Sequence, residues 1–311
     1  MVSAGGRNPV RGERGMADYL VRAISDRANV IGLACVTTAL VEEARKIHGT
    51  SRTASAALGR AMTGGLLMGA LLKKGQRLAL KFEGNGPLKK IIVEADHDGT
   101  VRGFVGVPET EVPFKDEKLN VSGALGSQGL LTVIKDLGLK EPYQGVVNLL
   151  SGEIGEDIAF YFSESEQIPS AVGLGVFVEP DGKVSAAGGF LVQTLPPTEV
   201  KMVDRLIENI RKIPRVTEFF RDGKTPEALL ADLFSGATCH VLGKTPLFFR
   251  CRCGQERVEK ILVALGKVEL RKMIEEQGRA EVTCEFCRTR YHFSREELEN
   301  LLLEAGRPAE A

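Results

Sequence analysis

Apolar and polar positions change their spacing several times along this chain, and each change marks an element. From Tyr19 to about Thr38, β-branched and small apolar residues run together, as in "NVIGLACVTT", which predicts buried strand. The pattern then turns helical. "TALVEEARKIHG" and "TASAALGRAMTGGLLMGALLKK" are rich in Ala, Leu and Met, with Thr53 near the start of the second, and predict helices packed closely through small residues. Three strand-like runs come next, "QRLALKFEG", "LKKIIVEAD" and "TVRGFVGV". The turns between them, "GNGP" and "DHDG", carry the Gly, Asn and Asp chemistry of tight antiparallel connections, so this stretch predicts a meander. Further on, "GLLTVIKD" and "QGVVNLLS" predict strands, "GEIGEDIAFYFSESEQ" a helix, and "AVGLGVFVE" and "VSAAGGFLVQ" a strand pair joined by "PDG". Residues 16–195 are expected to form one α+β domain of antiparallel strands and packed helices.

The texture shifts at "LPPTEV". Pro196 and Pro197 stop the sheet, and Val200, Val203, Leu206, Ile207 and Ile210 then recur on one helical face. Thr225, Pro226 and Glu227 announce a second helix, with an N-cap residue and proline in the first turn. Residues 196–235 therefore predict a helical linker whose apolar stripe must lie on something. From Gly236 a small cysteine-bearing domain is expected, over 236–295. Its closing helix is predicted at Ser294 to Glu304, capped by Ser294 with Glu297 three residues on, so that 296–311 hold the end of that helix and a tail.

Charge and composition narrow the possibilities. The 311 residues balance 41 basic against 41 acidic side chains, so no general field attracts a polyanion, and a nucleic-acid role would need a local patch. The longest apolar helical-looking run, Ala61 to Leu72, falls well short of the roughly 20 residues that cross a bilayer, and no membrane partner is expected. The opening "MVSAGGRNPVRGERG" lacks the apolar centre of a secretory signal. Residues 1–15 are expected to be a disordered extension, with Met16 an alternative start. A cytoplasmic location is the default expectation, and in a reducing compartment clustered cysteines serve more often as metal ligands or redox centres than as static disulfides.

Four of the six cysteines stand in two tight pairs: Cys251 and Cys253 as C-x-C, Cys284 and Cys287 as C-x-x-C, with 30 residues between them. Four thiolates fill a tetrahedral zinc shell and leave no open position for substrate or water, which argues against a hydrolytic site. A module of about 60 residues also needs such a staple, because so small a core rarely holds itself together. Arg250, Arg252 and Arg288 flank the thiols and favour the reactive thiolate form, and either pair can close on itself as a disulfide. Basic neighbours suit a nucleic-acid-binding zinc ribbon equally well. From these residues alone both readings stay open.

The four cysteines, preceded by a helical linker and by a domain containing "GRAMTGGLLMGALLK", "YQGVVNLLSGEIGEDIAFYFSESEQIPSAVGLGV" and "GGFLVQTLPP", give the chain a specific resemblance to the redox-regulated heat-shock chaperones, the 33 kDa chaperonins, from about Met16 to Phe293. The resemblance implies a holdase rather than an enzyme, inactive while Cys251, Cys253, Cys284 and Cys287 hold one zinc ion per chain. It further implies that oxidation joins Cys251 to Cys253 and Cys284 to Cys287, ejects the metal, unfolds the module and linker, and exposes a surface for unfolding client proteins, the active form being a homodimer. Such a switch is energetically reasonable. Structural zinc supplies an apparent ~10–16 kcal/mol to small modules, comparable with the ~5–15 kcal/mol that holds a whole domain folded. Val203, Leu206, Ile207 and Ile210 are then candidate latch or client-binding residues, sticky once uncovered if their cover lies partly on the module.

Other motifs read as ordinary structure. Cys35 lies in an apolar strand and is expected to be a core thiol, while Cys239 and His240 have no place in a shell already filled by four sulfurs. His292, between Tyr291 and Phe293, is expected in the small core or on its surface. "DHDG" at Asp96 to Gly99 is explained by a hairpin turn. "GKT" at Gly243 to Thr245 lacks the earlier glycine of a phosphate loop, Thr238 standing in its place, and Ser127 lacks the first glycine of a nucleophile elbow.

Overall fold

The structure is a computed structural model that describes residues 18–25, 29–198 and 200–305. The extension expected at 1–15 lies outside them. The chain opens with β1 (Tyr19–Ser25) and β2 (Val30–Val36), followed by α1 (Thr38–His48) and α2 (Arg52–Gly69). Three strands then form the meander β3 (Arg77–Gly84), β4 (Lys90–Asp96) and β5 (Thr100–Val105), succeeded by a short α3 (Val121–Leu125), β6 (Gly129–Asp136), β7 (Tyr143–Asn148), α4 (Ile154–Glu164), β8 (Ser170–Val178) and β9 (Val184–Thr194).

The small residues of α2 explain how these pieces assemble. Ser51 caps the helix by accepting from the Ala54 N–H, and from there almost the whole helix is buried. A methyl group added at Gly59 would meet Val41 and Val176, and one at Gly65 would meet Val93. Helix α2 is therefore pressed on several sides, close enough that glycine is the residue that fits. It contacts β8 and β9 of one sheet and β3, β4 and β5 of another, and Leu58, Met62, Leu66 and Leu67 carry the main core between them. The expected α+β domain with antiparallel strands and packed helices is what the structure shows. Among the described residues no helix is long and apolar enough to cross a membrane.

The linker forms three helices, α5 (Val200–Lys212), α6 (Val216–Arg221) and α7 (Pro226–Leu233), the last capped by Thr225 as the sequence predicts. They lie on the outer face of the β1–β2–β9 surface, where Leu206, Phe219, Phe220, Leu229, Leu230, Leu233 and Phe234 pack against Val21, Val30, Ala34, Phe190 and Val192. Strand glycines make room for rings: a methyl at Gly32 would strike Phe234, and one at Gly188 would strike Phe220. The stripe read on α5 is unevenly covered. Leu206 is buried, Val203 and Ile210 are half-buried, and Ile207 is 42 % exposed. Its cover is this sheet, not the cysteine module, because α6 and α7 take the apolar face that the sheet leaves free. Asn209 ties the bundle together by donating from Nδ2 to the carbonyls of Leu233 and Ser235, both at 3.0 Å.

Beyond Gly236 the expected boundary needs amending. Strand β10 (His240–Pro246) pairs antiparallel with β1, and β11 (Phe248–Phe249) pairs parallel with β5. These residues complete edges of the large body: the first sheet runs β10-β1-β2-β9-β8 and the second β11-β5-β4-β3-β6-β7. The compact C-terminal unit comes after them, as α8 (Gln255–Ala264), α9 (Lys267–Glu276), the hairpin β12 (Arg279–Thr283) and β13 (Arg290–Ser294), and α10 (Arg295–Glu304). Its core is small, built on Val258, Leu262, Leu270, Ile274, Phe293, Leu298 and Leu301, so α10 belongs to the unit. The Ser294–Glu297 capping box starts α10 as expected.

The uneven cover on α5 has a measurable consequence. Leu206→Ala is expected to destabilise the protein by about 2–5 kcal/mol, the range for emptying a buried leucine site. Ile207→Ala is expected to cost a small fraction of that. Denaturant unfolding of the two variants checks the difference, and equal losses would contradict the packing described.

Candidate metal centre

Both cysteine pairs are placed by backbone hydrogen bonds rather than by helices. As the chain leaves β11, the Arg250 N–H donates to the Val101 carbonyl at 2.9 Å, which carries the C-x-C segment along the rim of the second sheet. Gly254 then caps α8. The C-x-x-C pair forms the turn of the β12–β13 hairpin: the Cys284 N–H donates to Thr289 O at 2.9 Å and the Arg288 N–H to Cys284 O at 2.8 Å. Arg288 sits in the left-handed region at φ 57, which folds the turn back on itself.

Here the four sulfurs converge. Cys251 Sγ is 3.7 Å from Cys284 Sγ, Cys253 Sγ is 3.2 Å from Cys287 Sγ, and all four lie within 4.8 Å of one another. A tetrahedron of sulfurs around zinc, with Zn–S near 2.3 Å, places its corners about 3.8 Å apart, so the residues present fit that ion. The separations are too long for disulfide bonds, whose sulfurs sit about 2.05 Å apart, and all four are free thiols.

Neighbouring donors meet three of the sulfurs. Tyr291 Oη donates to Cys253 Sγ at 3.0 Å, Thr289 Oγ1 lies 3.2 Å from Cys287 Sγ, and Arg102 Nη1 donates to Cys251 Sγ at 3.2 Å. Burial and the adjacent sulfurs hold the Cys253 thiol far above the ordinary range, and burial raises Cys284. Cys287 is brought down to about 7 against the effect of burial, by the Thr289 hydroxyl and N–H. A cluster of thiols this close resists full ionisation alone, whereas a divalent cation stabilises all four as thiolates. Of the three donors, Thr289 and Tyr291 stand just after the second pair in sequence but match no ligand pattern. Arg102 is 149 positions from the cysteine it touches, and only its place on β5 reveals it.

The remaining candidates fall elsewhere. Cys35 is fully buried on β2, its thiol pushed well up by burial, and Cys239 packs against the linker cluster. His240 is exposed on β10, and His292 pairs with Glu281 at 3.3 Å on the exposed side of the hairpin. "DHDG" is the β4–β5 turn, with the Thr100 hydroxyl 2.9 Å from Asp96 and 2.8 Å from Asp98, and "GKT" is extended in β10. The basic flank is also engaged: Arg252 pairs with Asp96 at 2.7 Å, Arg288 with Glu285 at 3.1 Å, and the Arg250 guanidinium lies 5.8 Å from the Phe248 ring centre.

A C-terminal four-sulfur cluster behind an α+β body and a helical linker defines a thiol-based zinc protein of the switch type. Comparison with known proteins makes this specific. The Hsp33 protein family matches residues 18–294. The 33 kDa chaperonin of Geobacter sulfurreducens is 59 % identical over 92 % of this chain and 95 % of its own, and that of Geobacillus kaustophilus is 45 % identical over 92 % and 98 %. The crystal structure of the 33 kDa chaperonin from Thermotoga maritima superposes with a TM-score of 0.86 at 39 % identity, over 93 % of this chain and 99 % of that one. The chain belongs to the Hsp33 family: it is a redox-regulated chaperone, not an enzyme, with a C-terminal four-cysteine zinc site and client proteins as partners.

Replacing Cys251 or Cys284 with serine is expected to remove most bound zinc, while Cys35→Ser and Cys239→Ser retain it. Tyr291→Phe, which deletes one hydrogen bond to a ligand sulfur, is expected to weaken zinc by about 10–100-fold. Metal analysis and chelator competition on purified reduced protein check both statements.

Proposed function

We propose that the reduced chain holds one zinc ion through Cys251, Cys253, Cys284 and Cys287, and that oxidation converts these to two disulfides, Cys251 with Cys253 and Cys284 with Cys287. The observation that carries this reading is the convergence of all four sulfurs within 4.8 Å from two segments that share no other covalent tie. The metal closes the unit by joining the exit of β11 to the β12–β13 turn. Once it leaves, the small C-terminal core must stand without that staple, and zinc binding of ~10–16 kcal/mol is comparable with the stability of a whole domain.

Pairing within each motif is favoured once the cluster opens. The shortest sulfur separations join the two motifs, so proximity in the closed cluster does not select the partners. The cysteines of one motif stay two or three positions apart in the chain when the turn loosens, whereas the motifs themselves separate.

The division of labour runs in chain order. The α+β core at 16–195 is the stable body, the linker at 196–235 is the latch, and 236–295, with the helix end and tail at 296–311, is the switch, its strands β10 and β11 seated on the core sheets. Val203, Leu206, Ile207 and Ile210 serve as latch or client-contact residues, with Leu206 the buried anchor. Release of the linker would bare both its own apolar residues and the sheet face beneath, a surface suited to unfolding proteins and to a second copy in an oxidised homodimer. We place this activity in the cytoplasm.

Peroxide treatment of the zinc-loaded protein is expected to release one zinc per chain, to yield mainly the two within-motif disulfides on peptide mapping, and to start suppression of client aggregation. Mainly cross-motif bridges, or holdase activity equal in the reduced protein, would overturn the reading. Size-exclusion chromatography of the oxidised form is expected to show the dimer.

A further inference from the structure

One guanidinium of the large body touches both halves of the cysteine cluster. Arg102 stands on β5, the strand that β11 joins, and its side chain is 8 % exposed. Glu94 anchors it, with Oε2 accepting from Nε at 2.9 Å and from Nη2 at 2.5 Å. Nη1 donates to Cys251 Sγ at 3.2 Å, and the guanidinium carbon lies 4.1 Å from the ring centre of Phe286, inside the C-x-x-C turn. Phe286 meets Phe104 of β5 edge to face, with centroids 5.1 Å apart at 88°. A cleft of about 450 Å³, lined by Arg102, Glu94, Asp96, Arg250 and Arg252 among others, runs beside this contact.

We propose that Arg102 is a positioning residue of the redox switch: it holds the Cys251 thiolate and the Phe286-bearing turn against the β4–β5 surface, so that the redox state of the cysteines decides whether the module stays docked. This rests on the proposed switch. Four thiolates around one divalent cation carry a net double negative charge, and a buried cation fixed beside them by Glu94 offsets part of it. On oxidation by a peroxide, two thiolates of a pair give up two electrons and form one S–S bond. The peroxide O–O bond breaks, two protons are taken up from solvent, and two waters leave. A disulfide sulfur is neutral and accepts hydrogen bonds poorly. Nη1 is then a buried donor without an acceptor, which favours moving the contact into water and lifting the module from the sheet.

The full-length, zinc-loaded protein tests this through Arg102→Met, Arg102→Lys and Glu94→Gln. Chelator competition on the reduced proteins gives zinc affinity, and an indicator dye tracks zinc release after hydrogen peroxide. Arg102→Met is expected to bind zinc about 10–100-fold more weakly and to release it correspondingly faster, the effect seen when partners of metal ligands are removed. Arg102→Lys is expected to recover most of the loss, and Glu94→Gln to fall between. Parent-like affinity and release in Arg102→Met would overturn the proposal, as would a lysine variant no better than methionine, since the contact would then act through packing alone. Should Arg102→Met not accumulate folded, Glu94→Gln decides by the same affinity measurement, and parent-like behaviour overturns the proposal. If the parent itself keeps zinc and thiols under peroxide, the switch reading fails. The affinity of the reduced variants still judges Arg102.

Discussion

The return of the chain onto two sheet edges after the linker is the constraint on which the switch depends. Strand β10 completes the β1 edge and β11 the β5 edge, within about ten residues of each other. That double attachment fixes the end of the linker, strapping α5, α6 and α7 over the sheet face between β9 and β10. It also delivers Cys251 to the rim of the second sheet, where the hairpin from the C-terminal unit supplies Cys284 and Cys287. Without it, neither the cover on the apolar sheet face nor the closure of the sulfur cluster would have a fixed origin.

Stability is consequently graded along the chain. The large core around α2 is held by close packing on several sides and draws nothing from the cysteines. The linker is held by one apolar interface, rich in phenylalanine and with Ile207 left outside. The C-terminal unit has few core residues and relies on a metal-dependent tie. A chemical event at the cluster thus acts on the part with the least of its own packing, and elements of low local stability are the ones available for movement.

Much of this could be read from residue spacing. The meander, the small-residue helix, the Thr225 and Ser294 caps and the two cysteine pairs depend on near neighbours, and near neighbours are what a sequence displays. What it hid depends on distance. Strand β10 is mostly exposed, so it has no buried face to give it an alternating pattern, and its partner β1 lies more than 200 residues away. Helices α8 and α9 are short and charged, with only Val258, Leu262, Leu270 and Ile274 facing inward. The stripe on α5 predicted a helix correctly but not which of its residues would be covered, because the sheet reaches Leu206 and stops short of Ile207.

The linker begins after β9 and ends at β10, and both strands belong to one sheet, with β1 and β2 between them. Three strand spacings of about 4.8 Å therefore separate its ends. A linker that peels away while those strands hold becomes a closed loop of 45 residues pinned at both feet, not a free arm. Its reach is bounded, so whatever it grips stays beside the sheet it has just uncovered. Closing such a loop again requires no search by a loose chain end, and the entropy to be recovered grows only with the logarithm of its length. Letting go of a client and restoring the resting fold are then one local zippering motion on a template that never came apart.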